Sequence, residues 1–407
     1  MKFSILRQLI PVLSIGLLVA TLLTACSLTT IDYVFVASSS GIDTFAVDSQ
    51  SGALRAGAPR VTAGVSSPVA MTTSSDYANL YLANAGNNSI VHYAIGLNGV
   101  LTQKESASAN PVAIAANTAG TYLYAAAIGN ALTSGGPAQA ELNEYTLSSG
   151  AIGSVAYSVP LTVPGYTNDT IVPTGVTVLA NNGSNILGDA VYVSAYDQSA
   201  YNPGGNTTSN ANPGWVFGFT IGSGGALTAI TNSPWQAGVK PTAIASDPTD
   251  RFVYVTDYAS NELIGYTVLD GSNLAFMTAG PFKTGNEPNA IVIDPRGYYI
   301  YVTNALDSTV SAYSIVQATG NPTGVVNVVG SPFNSTDTQP VAITVDPALG
   351  RFVYTANHLG DSVSGFRLNP ASGAMSPTQA TPYPTGANPT AIVCIPHGNH
   401  ATQVVTP

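Results

Sequence analysis

Pro288-Asn-Ala-Ile-Val-Ile-Asp-Pro295, then Tyr299-Ile-Tyr-Val-Thr-Asn304, then Thr309-Val-Ser-Ala-Tyr-Ser-Ile315 is one unit that the chain repeats. Pro241-Thr-Ala-Ile-Ala-Ser-Asp-Pro248 leads in the same way into Arg251-Phe-Val-Tyr-Val-Thr-Asp257 and Glu262-Leu-Ile-Gly-Tyr-Thr-Val268. A third copy runs from Pro340 through Tyr354 to Leu368. Weaker copies open at Pro68, Pro111 and Pro173, with second strands centred on Tyr81, Tyr124 and Tyr192. Tyr33-Val-Phe-Val-Ala37 has no opening strand before it, whereas Pro389-Thr-Ala-Ile-Val-Cys-Ile395 is an opening strand with nothing after it. Seven opening strands therefore match seven second strands, displaced by one unit.

Successive opening prolines are 43 to 68 residues apart, room for four short strands each. The Asp-Pro junctions read as tight turns, with Pro presetting φ and Asp offering an acceptor to the turn amides. Ser51-Gly-Ala-Leu54 and Ser372-Gly-Ala-Met375 read as second turns, each leading into a fourth strand. Continuous apolar runs such as Phe252 to Val255 and Tyr298 to Val302 predict strands covered on both faces, which stacked blades provide. The expected fold is all-β: a seven-bladed β-propeller of four-stranded antiparallel blades, closed by pairing of the C-terminal strand with the N-terminal blade. Composition agrees. Only 8% of the 407 residues are charged against 45% hydrophobic, so long amphipathic helices lack the Glu, Lys and Arg they need. A formal charge of −10 has the wrong sign for a polynucleotide and excludes nucleic acid as a partner.

Met1, Lys2 and Arg7 make a basic start, Leu9 to Leu22 an apolar core, and Leu23-Thr-Ala-Cys26 a small-residue end. This predicts a signal peptide over residues 1–25, too short for a stable span, with lipid on Cys26 and a linker over 26–31. The plainer alternative is an ordinary signal peptide whose cysteine is coincidental. The propeller is expected over residues 32–396 and a C-terminal tail over 397–407. Cys394, in an apolar run, reads as a small core residue.

The words Tyr254-Val-Thr-Asp257 and Tyr301-Val-Thr-Asn304, each after a Pro-x-Ala-Ile strand and an Asp-Pro turn, resemble the Tyr-Val-Thr-Asn propeller repeats of the lactonase-like seven-bladed propellers. That group includes bacterial 6-phosphogluconolactonase and muconate cycloisomerases, and the resemblance implies the propeller fold and a lactone-directed activity. Its lactonase members often carry His or Arg just after the opening proline, facing the pocket. Here Val69, Val112, Thr174, Thr242, Asn289, Val341 and Thr390 stand there instead. No Gly-x-Ser-x-Gly, His-Glu-x-x-His, Cys-x-x-Cys, phosphate-binding or calcium-loop motif occurs.

The residues before the opening prolines are expected to ring one face: Ser67, Asn110, Val172, Lys240, Glu287, Gln339 and Asn388. Asn110, Lys240, Glu287, Asn289, Gln339, His358 and Asn388 are the candidate pocket rim. Lys240 and Glu287 are read as ligand contacts or as a rim ion pair. Two long loops, Ala127 to Ala140 and Tyr196 to Pro213, are expected beside them, with Tyr196 and Tyr201 as candidate stacking aromatics. Tyr254, Tyr301 and Tyr354 are expected to pack between blades. No cofactor or metal is expected. The leading expectation is a lipid-anchored, cell-envelope, monomeric propeller binding a small molecule, a glycan or an envelope protein without catalysis. The alternative is a lactonase-like hydrolase acting on an exported lactone; a phosphosugar is disfavoured because Lys and Arg are scarce.

Overall fold

A computed structural model describes residues 29–131, 138–165, 170–179, 189–201, 212–316 and 324–403; Cys26 lies outside them. Seven separate antiparallel sheets radiate from a central channel, each with at least four strands. The first blade is made from both ends of the chain. Its innermost strand is Ala391–Pro396, followed outward by Thr30–Ser38, Gly41–Asp48 and Leu54–Ala56. Asp32 lies opposite Pro396 and Ala37 opposite Ala391 in that ladder, so the ring closes at the strand foreseen. The other innermost strands are Pro68–Thr73, Pro111–Ala116, Ile171–Val178, Pro241–Ser246, Pro288–Ile293 and Pro340–Val345.

Each letter of the Tyr-Val-Thr-Asn word has a separate physical task. In four blades the tyrosine hydroxyl reaches the next blade: Tyr81 donates to the Gly150 carbonyl at 2.7 Å, Tyr192 to Ser272 at 2.6 Å, Tyr301 to Gly373 at 3.0 Å and Tyr354 to Gly52 at 2.8 Å. The valine fills the space between blades, with Val255 and Val302 fully buried. The threonine repairs a bulge. The ladder slips between Pro241 and Ala243 and between Pro288 and Ala290, and the displaced Ala243 and Ala290 amides donate to Thr256 Oγ1 and Thr303 Oγ1, both at 3.0 Å. The last residue caps the loop before the opening proline. Asp257 accepts from the Val239 and Lys240 amides, Asn304 from Gly285 and Asn84 from Ser66.

Two glycines explain why the Ser-Gly turns recur. Gly52 and Gly373 have φ of 71° and 72°, and a Cβ on either would sit 2.3 Å from a Phe352 or a Tyr299 ring carbon. The turn thus places its carbonyl against the neighbouring tyrosine hydroxyl only without a side chain. Seven apolar clusters among the described residues fill the seven blade interfaces. One of them spans the seam, joining Val34, Val36 and Ile392 to Phe352 and Tyr354.

Two details depart from the repeat. The expected long loop from Ala127 to Ala140 is mostly ladder, because Tyr122–Ala131 and Ala138–Ser148 pair as far as Ala131 opposite Ala138. Alanine-rich, small-residue ladder ends carry no alternation for a sequence reading to detect. In the same blade Tyr124 faces Glu144, where the later blades carry Gly218, Gly265, Ala312 or Gly365. Glu144 is fully buried and neither carboxyl oxygen has a hydrogen-bond partner among the described residues. Burial pushes its carboxyl up to about 7.

Two predictions follow from closure and from this acid. Deleting residues 389–407 strips the first blade of its inner strand and opens edges on both sides of the seam. The truncated protein should aggregate or lose its cooperative melting transition, as calorimetry would read. The raised Glu144 carboxyl favours folding while protonated, and this contribution fades as pH rises from the unfolded value of about 4.5 through about 7. Glu144→Gln should therefore match the wild type at pH 5 and exceed it at pH 8 by on the order of 1–3 kcal/mol in denaturant titrations.

Candidate functional site

The innermost strands run into the channel from their opening prolines, and their first halves from all seven blades enclose a cavity of about 550 Å³. Its inner wall is apolar, with Met71, Ile114, Val176, Ile244, Ile291 and Ile343. Nearer the mouth the lining turns polar: Thr174, Thr242, Asn289, Gln339, His358 and Thr390. Two of the threonines tie adjacent inner strands, Thr242 Oγ1 donating to the Pro288 carbonyl and Thr390 Oγ1 to that of Pro68, both at 2.7 Å. Their hydroxyls are therefore committed to the scaffold, while Gln339 Oε1 is buried without a partner among the described residues.

His358 is the single titratable side chain among the described lining residues. Three bonds fix it. Its amide donates to the Gln339 carbonyl at 2.8 Å, its carbonyl accepts from Asn388 Nδ2 at 3.3 Å, and its Nδ1 lies 3.2 Å from the Pro389 carbonyl. A carbonyl can only accept, so Nδ1 carries a proton in that contact, and it is Nε2 that holds the lone pair in the neutral imidazole. The residue occupies the first loop position after the Asn357 cap; the corresponding place in the fifth blade holds Tyr258, which the sequence reading passed over.

The rim residues divide into two groups. Asn289, Gln339 and His358 line the cavity. Asn388 does not, though it steadies His358, and Asn110 is exposed, its Nδ2 donating to the Ile128 carbonyl at 3.0 Å. Lys240 and Glu287 form no ion pair. Lys240 Nζ instead lies over three rings: Tyr258 at 4.6 Å, Tyr201 at 4.9 Å and Tyr196 at 5.7 Å to the centroids. Tyr196 and Tyr201 meet edge to face at 5.6 Å, so these loop aromatics enclose a lysine of the same chain. Burial, followed by the Glu287 carboxylate beside its hydroxyl, pushes Tyr258 up to about 12. Residues 202–211 of that loop lie outside the described set.

Backbone strain gathers on the same face. Ser67, Glu287, Gln339 and Asn388 have φ between 48° and 57°, although each precedes a proline. Because four blades share the feature, it belongs to the rim's architecture.

A seven-bladed β-propeller family model, described as lactonase, matches residues 23–144 and 225–401, more than half of the chain. No curated protein matches it in sequence. Among solved structures, a candidate 6-phosphogluconolactonase from Bacteroides fragilis is 16% identical, with a TM-score of 0.69 over 91% of this chain and 99% of that one. A periplasmic gluconolactonase from Pseudomonas aeruginosa is also 16% identical, with a TM-score of 0.66 over 90% and 99%. A functionally unknown protein from Desulfotomaculum acetoxidans is 15% identical, with a TM-score of 0.62 over 88% and 98%. At these identities the structural likenesses speak for the fold alone. With its sequence matched over both segments and its seven blades closed as expected, the chain belongs to the lactonase seven-bladed β-propeller family.

Proposed function

We infer that the protein hydrolyses an uncharged lactone small enough for the channel cavity. The observation that carries this reading is His358, the one proton-transfer group among the described lining residues, held by Nδ1 so that Nε2 is available to act as a base. Nε2 would take a proton from a water molecule as that water attacks the lactone carbonyl carbon. The ring C–O bond would then break, the departing oxygen recovering the proton from His358. The amide groups of Asn289 and Gln339 supply N–H donors in the same wall for the oxygen that gains charge.

Substrate charge is set by what the lining holds. Its described residues include no Lys or Arg, so a phosphorylated lactone would bring its dianion into an apolar and amide-lined cavity without a counter-charge. A neutral sugar lactone meets no such penalty. Binding without catalysis is the second reading, favoured by the solitary titratable group: among the described residues His358 has no carboxylate partner to share the proton transfer.

The small-residue end of the leader, Leu23-Thr-Ala-Cys26, supports anchoring at the cell envelope through lipid on Cys26, which would place the cavity where exported lactones occur. No helix among the described residues is long and apolar enough to cross a membrane.

Both readings can be separated on the purified mature protein. With δ-gluconolactone as substrate, the wild type should exceed buffer hydrolysis. His358→Gln should remove at least about 100-fold of that excess while melting within a degree or so of the wild type. Lys240→Ala, which alters the rim outside the cavity, should leave the rate within a few fold. Hydrolysis equal to buffer, or an unaffected His358→Gln enzyme, would favour the non-catalytic reading. For the anchor, Cys26→Ser should move the protein from the membrane fraction to the soluble envelope fraction; an unmodified N-terminus at another residue, found by mass spectrometry, would refute lipidation.

A further inference from the structure

At the other end of the inner strands, away from the cavity, three buried residues from separate stretches meet. Asp32 lies in the Thr30–Ser38 strand of the first blade, Asp346 follows the inner strand of the seventh, and His400 sits in the short helix Gly398–Thr402. None is more than 4% exposed. One donor atom from each lies within 4.8 Å of the other two. His400 Nδ1 is 2.7 Å from Asp32 Oδ1, while its Nε2 is 3.8 Å from Asp346 Oδ2. His400 Nε2 and Asp32 Oδ2 are buried without hydrogen-bond partners among the described residues.

The sister turns show what is unusual here. Asp247 and Asp294 hold the same place in the fifth and sixth blades, and each accepts turn amides just as Asp346 does. In both, an arginine of the turn also reaches Oδ2: Arg251 at 3.4 Å and Arg296 at 2.6 Å. The corresponding Arg351 sends its guanidinium to the Ser49 carbonyl instead, at 3.2 Å. Asp346 thus keeps the turn but not the guanidinium: its Oδ2 accepts the Arg351 amide at 3.1 Å and otherwise faces a histidine nitrogen.

We propose that Asp32, Asp346 and His400 form a binding site for a divalent first-row transition metal of the zinc class. His400 Nε2 and Asp346 Oδ2 are its direct ligands. Asp32 fixes the imidazole through Nδ1–H and leaves Oδ2 for the ion or its water, the arrangement in which a carboxylate orients a metal-bound histidine. A separation of 3.8 Å is too long for a hydrogen bond between Nε2 and Asp346, so a proton on Nε2 would be poorly partnered there. Two metal–ligand bonds of about 2.1 Å span the same distance at an angle of roughly 130°, and approach the tetrahedral angle after a shift of a few tenths of an ångström. Imidazole with carboxylate is a donor set that suits zinc and its neighbours. The ion also brings positive charge to two buried carboxylates, where the sister turns use arginine.

The site would join the beginning of the ring, its last blade and the C-terminal segment, so occupancy should appear as stability of the closed propeller. The test uses the full mature chain, stripped with a chelator and titrated with Zn2+ alone. Calorimetry should show one ion per chain and a rise of several degrees in melting temperature. His400→Gln should weaken binding at least tenfold and abolish the rise, whereas His397→Ala, just outside the helix and three positions before its buried histidine, should keep both. Co2+ added to the wild type gives a readout that needs no variant to fold: a visible absorption band of a low-coordinate nitrogen and oxygen site. No zinc uptake, a melting temperature indifferent to zinc, no cobalt band, or equal binding by His400→Gln would overturn the proposal and leave His400 as a protonated clasp between the two aspartates.

Discussion

Seven sheets close into a ring with an inner strand in every blade only if the two ends of the chain share one of them. The ladder between Asp32–Ala37 and Ala391–Pro396 meets that requirement. Everything inside the ring depends on it, since each inner strand is held on one side by its own blade and on the other by its neighbours across the channel. The seam is reinforced by the same devices as the ordinary interfaces. Tyr354 donates across it to Gly52, and Thr390 at the start of the closing strand donates to Pro68 in the second blade. Closure is therefore continuous with the repeat, although the covalent chain is broken there.

Scarce charge is placed with the same economy. The ion pairs sit at turns and blade edges: Arg296 with Asp294, Arg251 with Asp247, Lys283 with Glu262 and Arg60 with Asp43. The Asp-Pro turns use their carboxylates first as acceptors for successive amides, which fixes the hairpin at the end of the channel away from the cavity. With charge spent on turns and the interfaces filled by Tyr, Val and Phe, the cavity mouth is left to Thr, Asn, Gln and one His. Its neutrality is thus continuous with the composition of the whole chain and is not a local accident.

The fold was legible because one physical solution is written seven times. A proline, a bulge after it and an Asn or Asp at the end of the second strand recur in all three strong copies, with a bulge-repairing threonine in two of them, and the weaker copies could be aligned on the proline and the tyrosine. The site was legible only in part, for the opposite reason: it is built where the repeat stops constraining the residue. His358 was found because it follows a cap, yet Tyr258 in the equivalent place was missed, since a tyrosine there looks like one more packing aromatic. Lys240 and Glu287 looked like an ion pair because nothing in linear sequence reports that three tyrosines converge on the lysine. His400 was assigned to a tail, its partner Asp32 lying 368 residues away.

The rim shows how a stable ring can carry a changeable mouth. In three blades the carboxylate or amide that ends the second strand binds main-chain amides before the opening proline: Asn84 holds that of Ser66, Asp257 those of Val239 and Lys240, and Asn304 that of Gly285. Backbone shape at the mouth is therefore imposed by buried residues, to the point that Ser67, Glu287, Gln339 and Asn388 are held at positive φ. Their side chains contribute little to that geometry. A loop fixed from below by its main chain can exchange serine for glutamate or glutamine without altering its path. The cavity wall differs, because Thr242 and Thr390 tie one inner strand to the next, so changes there act on the ring itself. Chemistry is thus easiest to vary at the rim and hardest to vary in the wall. His358, with its amide on one blade and its imidazole on the carbonyl of another, stands at the boundary between the two.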